Sequence, residues 1–133
     1  MITFFVAGVP APQGSKRHVG NGRMIESSKK VKPWRAQVIR AAQVANLFQE
    51  PLDEPVSVTV AFYLEKPKKS KFGNSPAGPP DLDKLLRSTF DGLTGSGVIK
   101  DDSRIVEVSA RKHWAFRDET GAMITIEPAT PAD

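Results

Sequence analysis

Val56-Ser57-Val58-Thr59-Val60-Ala61-Phe62-Tyr63-Leu64 is the stretch on which the fold turns. Val56, Val58, Val60, Phe62 and Leu64 fall on one side of it, and Ser57, Thr59, Ala61 and Tyr63 on the other. Side chains of a strand alternate between its two faces, so this pattern predicts a strand with one face in a core and the other nearer water. A half-buried strand of this kind belongs in a sheet, with a second layer over its apolar side.

Outward from that strand, residues 66–80 read as a long loop of lysines, glycines and prolines with a single aromatic, Phe72. Loops of this length without structure of their own are commonly mobile or functional. A helix over residues 81–94 follows, with Leu82, Leu85, Leu86, Phe90 and Leu93 as its buried face and Gly95 and Gly97 as its stop. A turn bearing Asp101 and Asp102 leads into a strand over residues 104–116, where Val106, Val108, Ala110 and Trp114 alternate with polar neighbours. A turn at 117–121 and a last strand over 122–127 complete that side, and residues 128–133 read as a frayed tail.

Upstream, residues 2–9 read as a strand closed by Pro10 and Pro12. A flexible basic stretch with Gly14, Gly20 and Gly22 comes next, with a short extended piece at Met24 and Ile25. A first helix begins near Pro33, where a missing N–H costs nothing. Its apolar stripe is Trp34, Val38, Ala41, Ala45 and Phe48, and Pro51 ends it. The order of elements predicts one two-layer α+β domain, a mixed β-sheet with the helices packed on one face.

Composition narrows the chemistry. The 133 residues suffice for one domain with a real core, and 39% hydrophobic with 26% charged residues is ordinary globular usage. There is no cysteine, which removes disulfides, thiolate zinc sites and cysteine nucleophiles, and fits a reducing compartment. No apolar run approaches the ~20 residues that cross a bilayer, and residues 2–9 lack a signal peptide's basic leader, so a cytoplasmic protein with no membrane partner is expected. The net charge of +4 is clustered: Lys16 and Arg17; Lys29, Lys30 and Lys32; Lys66, Lys68, Lys69 and Lys71. Such clusters attract polyanions, although solvated surface lysines would look the same.

The chemistry-bearing block is Pro80-Asp81-Leu82-Asp83-Lys84-Leu85-Leu86-Arg87, followed by Phe90-Asp91-Gly92-Leu93 and Lys100-Asp101-Asp102. Carboxylates held a few ångströms apart repel unless a cation intervenes. Mg²⁺ is such a cation, held by one or two carboxylates with waters and substrate phosphate, and it activates water for in-line attack. With no cysteine and only His18 and His113, Mg²⁺ or Mn²⁺ suits the chain better than zinc. Spacing alone leaves a structural alternative open. Asp81 is a natural N-cap, Asp83 suits the positive end of a helix, and Asp101 and Asp102 suit a turn. A strand running straight back along the second helix would start Asp102 at the helix's far end, so convergence requires the turn to fold back or the strand to be reached obliquely.

At this block the sequence resembles the RusA family of Holliday junction resolvases. The family pattern is an Asp-x-Asp-Asn segment opening a helix, a lysine a few residues on, a Phe-Asp-x-Leu stretch and a later Asp-Asp pair. Asp81-Leu82-Asp83, Phe90-Asp91-Gly92-Leu93 and Asp101-Asp102 occupy those places. Gly8-Val9-Pro10 with its basic stretch, and Pro33-Trp34-Arg35 at a helix start, extend the resemblance over nearly the whole chain. It implies a single nuclease domain over residues 1–133 that works as a homodimer. Such an enzyme is Mg²⁺-dependent and nicks branched DNA, four-way junctions above all, symmetrically in recombination and repair.

The catalytic and metal-binding aspartates carry over to Asp81, Asp83 and Asp102, with Asp91 structural. Two places depart from the pattern: Lys84 stands where asparagine is usual, and Arg87 where the catalytic lysine is. Arginine keeps the charge and can clamp a phosphate, but it does not exchange a proton near neutral pH. An electrostatic role for Arg87 is therefore expected, with Lys84 close by. Lys16, Arg17, Lys30, Lys69 and Lys71 would track DNA phosphates, and Phe72 could wedge between bases at a branch point. A non-catalytic DNA-binding protein is the rival reading. A restriction-type nuclease ranks behind it, since Glu107-Val108-Ser109 lacks the lysine that fold places after its acid.

Overall fold

The computed structural model describes residues 1–14, 16–18, 24–26, 29–47 and 49–131, with 16–18 and 24–26 as backbone. The side chains of Lys16 and Arg17, and the residues Gly20, Gly22 and Phe48, lie outside the described residues. Among the described residues six strands, two α-helices and one 3₁₀ turn follow one another: β1 Ile2–Ala7, β2 Lys16–His18, β3 Met24–Glu26, α1 Val31–Ala45, β4 Val56–Leu64, α2 Leu82–Ser96, a 3₁₀ turn Asp102–Arg104, β5 Ile105–Trp114 and β6 Gly121–Pro128.

The main sheet has the order β1-β6-β4-β5, and β2 with β3 forms a separate antiparallel pair. β6 runs antiparallel to both β1 and β4, whereas β5 runs parallel to β4. The sheet is mixed, as expected. A parallel neighbour needs a long crossover, and α2 supplies it. Val56, Val58, Val60 and Phe62 of β4 join Val6, Ala122, Ile124 and Ile126 on one sheet face, all buried. Trp34, Val38 and Ala42 of α1 and Leu85 and Leu93 of α2 close over that face. Two layers with one shared core is the predicted α+β architecture.

Where helix meets helix, small and polar residues decide the fit. A Cβ added at Gly92 would lie 2.7 Å from Val38 Cγ1, so glycine sets how closely α2 approaches α1. The Trp34 indole N–H donates to Thr89 Oγ1 across 3.1 Å, and Thr89 and Ser88 return their hydroxyls to the Leu85 carbonyl. The buried face of α2 is therefore Leu85, Ser88, Thr89, Gly92 and Leu93, while Leu82, Leu86 and Phe90 are only half-buried. The leucine pattern shares only Leu85 and Leu93 with this face, because it ignores hydroxyls that bond back to their own helix.

Three other boundaries move. α1 opens at Val31, because Val31 is buried and the Lys30 carbonyl already accepts the Trp34 N–H at 3.1 Å; Pro33 then sits within the first turn. Ala45, expected in its stripe, is exposed. Val106 and Val108, expected in the core, are 63% and 46% exposed. β5 is the sheet's edge, and its register slips opposite Val56/Ser57, which turns this stretch away from helical cover. At the carboxyl end the strand persists through Pro128, and the Ala129 N–H donates to Pro55 O at 3.0 Å. Among the described residues no helix is long and apolar enough to cross a membrane.

Candidate active site

Asp81 is the N-cap residue of α2 in an extended conformation (φ −70°, ψ 137°), yet its carboxylate makes no capping bond. It faces Lys84 Nζ instead, at 3.5 Å. Capping therefore does not explain this aspartate. Asp83, Arg87 and Asp91 follow at intervals of four, which lines them along one face of α2.

Residues 11–14, where a flexible stretch was expected to begin, are laced to that helix. The Gln13 N–H donates to Lys84 O at 3.0 Å, and Ser88 Oγ donates to Ala11 O at 2.6 Å. The Gln13 amide gives a 2.5 Å hydrogen bond to Asp91 Oδ2 and accepts one from Arg35 Nη1 at 3.1 Å. Gly14 has φ +94°, and a Cβ there would come within 2.7 Å of Arg87 Nη1, so the backbone lies directly against the guanidinium.

Asp102 arrives from the other side. After the left-handed Gly97 the chain buries Val98 and Ile99 and pairs with Leu52 through Leu52 N–H to Val98 O and Lys100 N–H to Leu52 O. This detour turns the chain back before β5 begins, and it supplies the fold-back that convergence required. Asp101 caps the 3₁₀ turn by accepting the Ser103 N–H at 2.8 Å, and those Ser103 bonds hold its carboxyl below the usual carboxylate range. Asp102, next in the chain, is left free to face α2.

The result is one open cleft of about 550 Å³, lined by Asp83, Arg87 and Asp102 together with Gln13, Leu86, Phe90 and Asp91. Asp83 and Asp102 carry no hydrogen bond or ion pair to another described residue. Asp81 lines an adjoining cleft instead, with Lys29, Lys30, Pro79 and Pro80. Among the described residues no three acidic or histidine side chains stand close enough to hold one ion together. The aspartates thus divide: Asp83 and Asp102 share a cleft with Arg87, and Asp81 stands beside it under Lys84.

The other candidates are on the surface. Lys69, Lys71 and Phe72 are exposed in the segment between β4 and α2, with Lys71 Nζ 5.5 Å from the centre of the Phe72 ring. Residues 7–127 match the family model of endodeoxyribonuclease RusA. The chain belongs to the RusA family.

Among curated relatives, the crossover junction endodeoxyribonuclease RusA of Aquifex aeolicus (strain VF5) is 25% identical over 128 residues, covering 96% of this chain and 91% of the relative. Both the Asp83/Asp102 cleft and the Asp81 shoulder lie inside the matched region, as does every cluster of lysines. This RusA-family chain is accordingly an endodeoxyribonuclease. Gln13 and Asp91 line the Asp83/Asp102 cleft, and Arg35 donates to Gln13. Gln13 was not legible in the sequence, whereas Asp91 stood out in Phe90-Asp91-Gly92-Leu93, with a structural role expected of it.

Proposed function

We propose that this protein resolves four-way DNA junctions by paired symmetric nicks, as a Mg²⁺-dependent homodimer acting in recombination and repair in the cytoplasm. The observation that carries the reading is the pair of carboxylates, Asp83 and Asp102, without a partner among the described residues and brought from separate elements into one cleft beside Arg87. Two acids gathered in one cleft, neither in an ion pair with Arg87 or another described residue, are a donor set that fits a hard, oxygen-seeking ion. Two carboxylates are enough, since Mg²⁺ takes its remaining ligands from water and phosphate. Mn²⁺ would fit the same oxygens.

Asp83 and Asp102 would hold the ion, with Asp81 joining when a phosphate draws Lys84 from its 3.5 Å contact. The bound ion supplies Lewis acidity toward a phosphodiester and a more acidic water. Arg87 remains charged at every relevant pH and offers its fork to a non-bridging oxygen. Lys30, Lys69 and Lys71 would follow neighbouring phosphates, along with Lys16 and Arg17, and the exposed Phe72 would enter a base step. Two nicks related by a twofold need two copies of the cleft, hence a C₂ dimer. The name of the Aquifex relative supports a crossover junction as substrate.

The test is a labelled four-way junction and the matching linear duplex, each with and without Mg²⁺. The wild-type chain is expected to cut the junction only with the metal. Asp83→Asn should bind the junction as the wild type does and cut it at least about a hundredfold more slowly. Full cutting by Asp83→Asn would remove this aspartate from the site. Binding without any metal-dependent cutting by the wild type would favour the non-catalytic DNA-binding reading.

A further inference from the structure

We propose that Lys112 is a positioning residue for this active site: it fixes the chain leading into α2, and with it where Asp81 and Asp83 stand. The proposal rests on the nuclease reading above. Lys112 lies in β5 opposite Phe62, on the sheet face that carries the helices, and it is half-buried there. Its register neighbours on that face are Val108, Ala110 and Trp114, poor company for an ammonium without partners. The ammonium has them: Nζ donates to Gly78 O and to Pro80 O, each at 2.9 Å.

Those two carbonyls belong to the last residues before Asp81. Charge-assisted bonds of this kind are stronger than neutral ones. They matter more here because α2 begins without a side-chain cap. Its entry is held by backbone instead, from one side by Gln13 N–H on Lys84 O and from the other by Lys112 on Pro80 O. Trp114 adds a weaker tether further back, its indole N–H donating to Gly73 O at 3.1 Å. Lys112 thus anchors the carboxylate-bearing turn by donating to its carbonyls, while the Asp81 carboxylate, which makes no capping bond, faces Lys84.

Lys112→Met keeps the length of the side chain and removes both bonds, and Lys112→Arg keeps two donors. On the full chain, Lys112→Met is expected to cut bound junction about 10- to 100-fold more slowly while its Kd stays within about twofold. The Mg²⁺ concentration for half-maximal cutting should rise. Amide exchange should quicken at residues 78–85 and stay unchanged in β4 and β6. Lys112→Arg should recover most of the cutting rate and the exchange protection, which a generic packing defect would not.

Unchanged exchange at 78–85 in Lys112→Met overturns the proposal, and so does a loss confined to Kd, which would make Lys112 a phosphate contact. Should the methionine variant fail to fold, Lys112→Gln, with a neutral amide donor, takes its place under the same readouts. If the wild type cuts no junction, the nuclease reading falls, while the exchange measurement still decides whether Lys112 holds this turn.

Discussion

Two sets of carboxylates sit on either side of the 3₁₀ turn, and they are treated in opposite ways. On the outer side Asp53 takes Arg104 Nε at 2.7 Å and Lys100 Nζ at 3.4 Å, and Asp101 takes the Ser103 N–H. On the inner side Asp83 and Asp102 share a cleft with no partner among the described residues. The outer acids fold the chain: they pin the segment from Lys100 to Arg104 and so aim the inner one. An acid whose lone pairs are already spent is structural, and one left unspent in a concave, water-filled place is available to a ligand. Asp101 and Asp102 are adjacent in sequence and fall on opposite sides of this division.

That adjacency gives the largest expected effect. Asp102→Asn should lower metal-dependent cutting by at least about a hundredfold without lowering the unfolding temperature, since it removes no protein contact and relieves repulsion with Asp83. Asp101→Asn should keep cutting within about tenfold of wild type, because the amide oxygen can still accept from Ser103. Side-by-side turnover and melting measurements decide the matter. Equal losses in the two variants would break the distinction between spent and unspent acids.

Arg87 sharpens the same contrast from the cationic side, at intermediate size. Among the described residues it is the one cation lining the Asp83/Asp102 cleft, and the Gly14 backbone presses against its guanidinium. If its work is electrostatic, Arg87→Ala should cost about 10- to 100-fold in cutting and Arg87→Lys less than about tenfold. A pH–rate profile of Arg87→Lys that gains a new limb near the lysine pKa would instead assign proton transfer to this position.

Much of this was legible before any coordinates. The alternation of Val56–Leu64 was sufficient to predict the central strand, because burial on one face imposes a period of two. The Asp-x-Asp block and the Asp-Asp pair marked the acids as residues to watch. Their meeting was not legible, since it depends on buried Val98 and Ile99 pairing with Leu52, a contact between elements far apart in sequence. Nor was the exposure of Val106 and Val108, which follows from β5 lying at an edge. Gln13 and Lys112 escaped for a related reason. The Gln13 amide reaches Asp91 and Arg35, Lys112 reaches the Gly78 and Pro80 carbonyls, and no residue pattern records which group a side chain will meet across the fold.

The smallest effect lies in the outer set, and its sign is fixed by the hydrogen bond from Arg104, reinforced by Lys100, which holds the Asp53 carboxyl below its usual 3.8. A depressed folded pKa means that the stabilisation is fully present above 3.8, the unfolded value, and is lost as pH falls through the lower folded one. The wild type should therefore melt slightly above Asp53→Asn at neutral pH, with the gap closing only in strong acid. The gap should also shrink on adding salt, because the pair is exposed and screened. Melting curves of both proteins across that acid range provide the check. A gap indifferent to pH and salt would mean that Asp53 holds the turn by shape and neutral hydrogen bonding. The outer acids would then owe their role to geometry alone, and the division between the two sets would rest on the cleft.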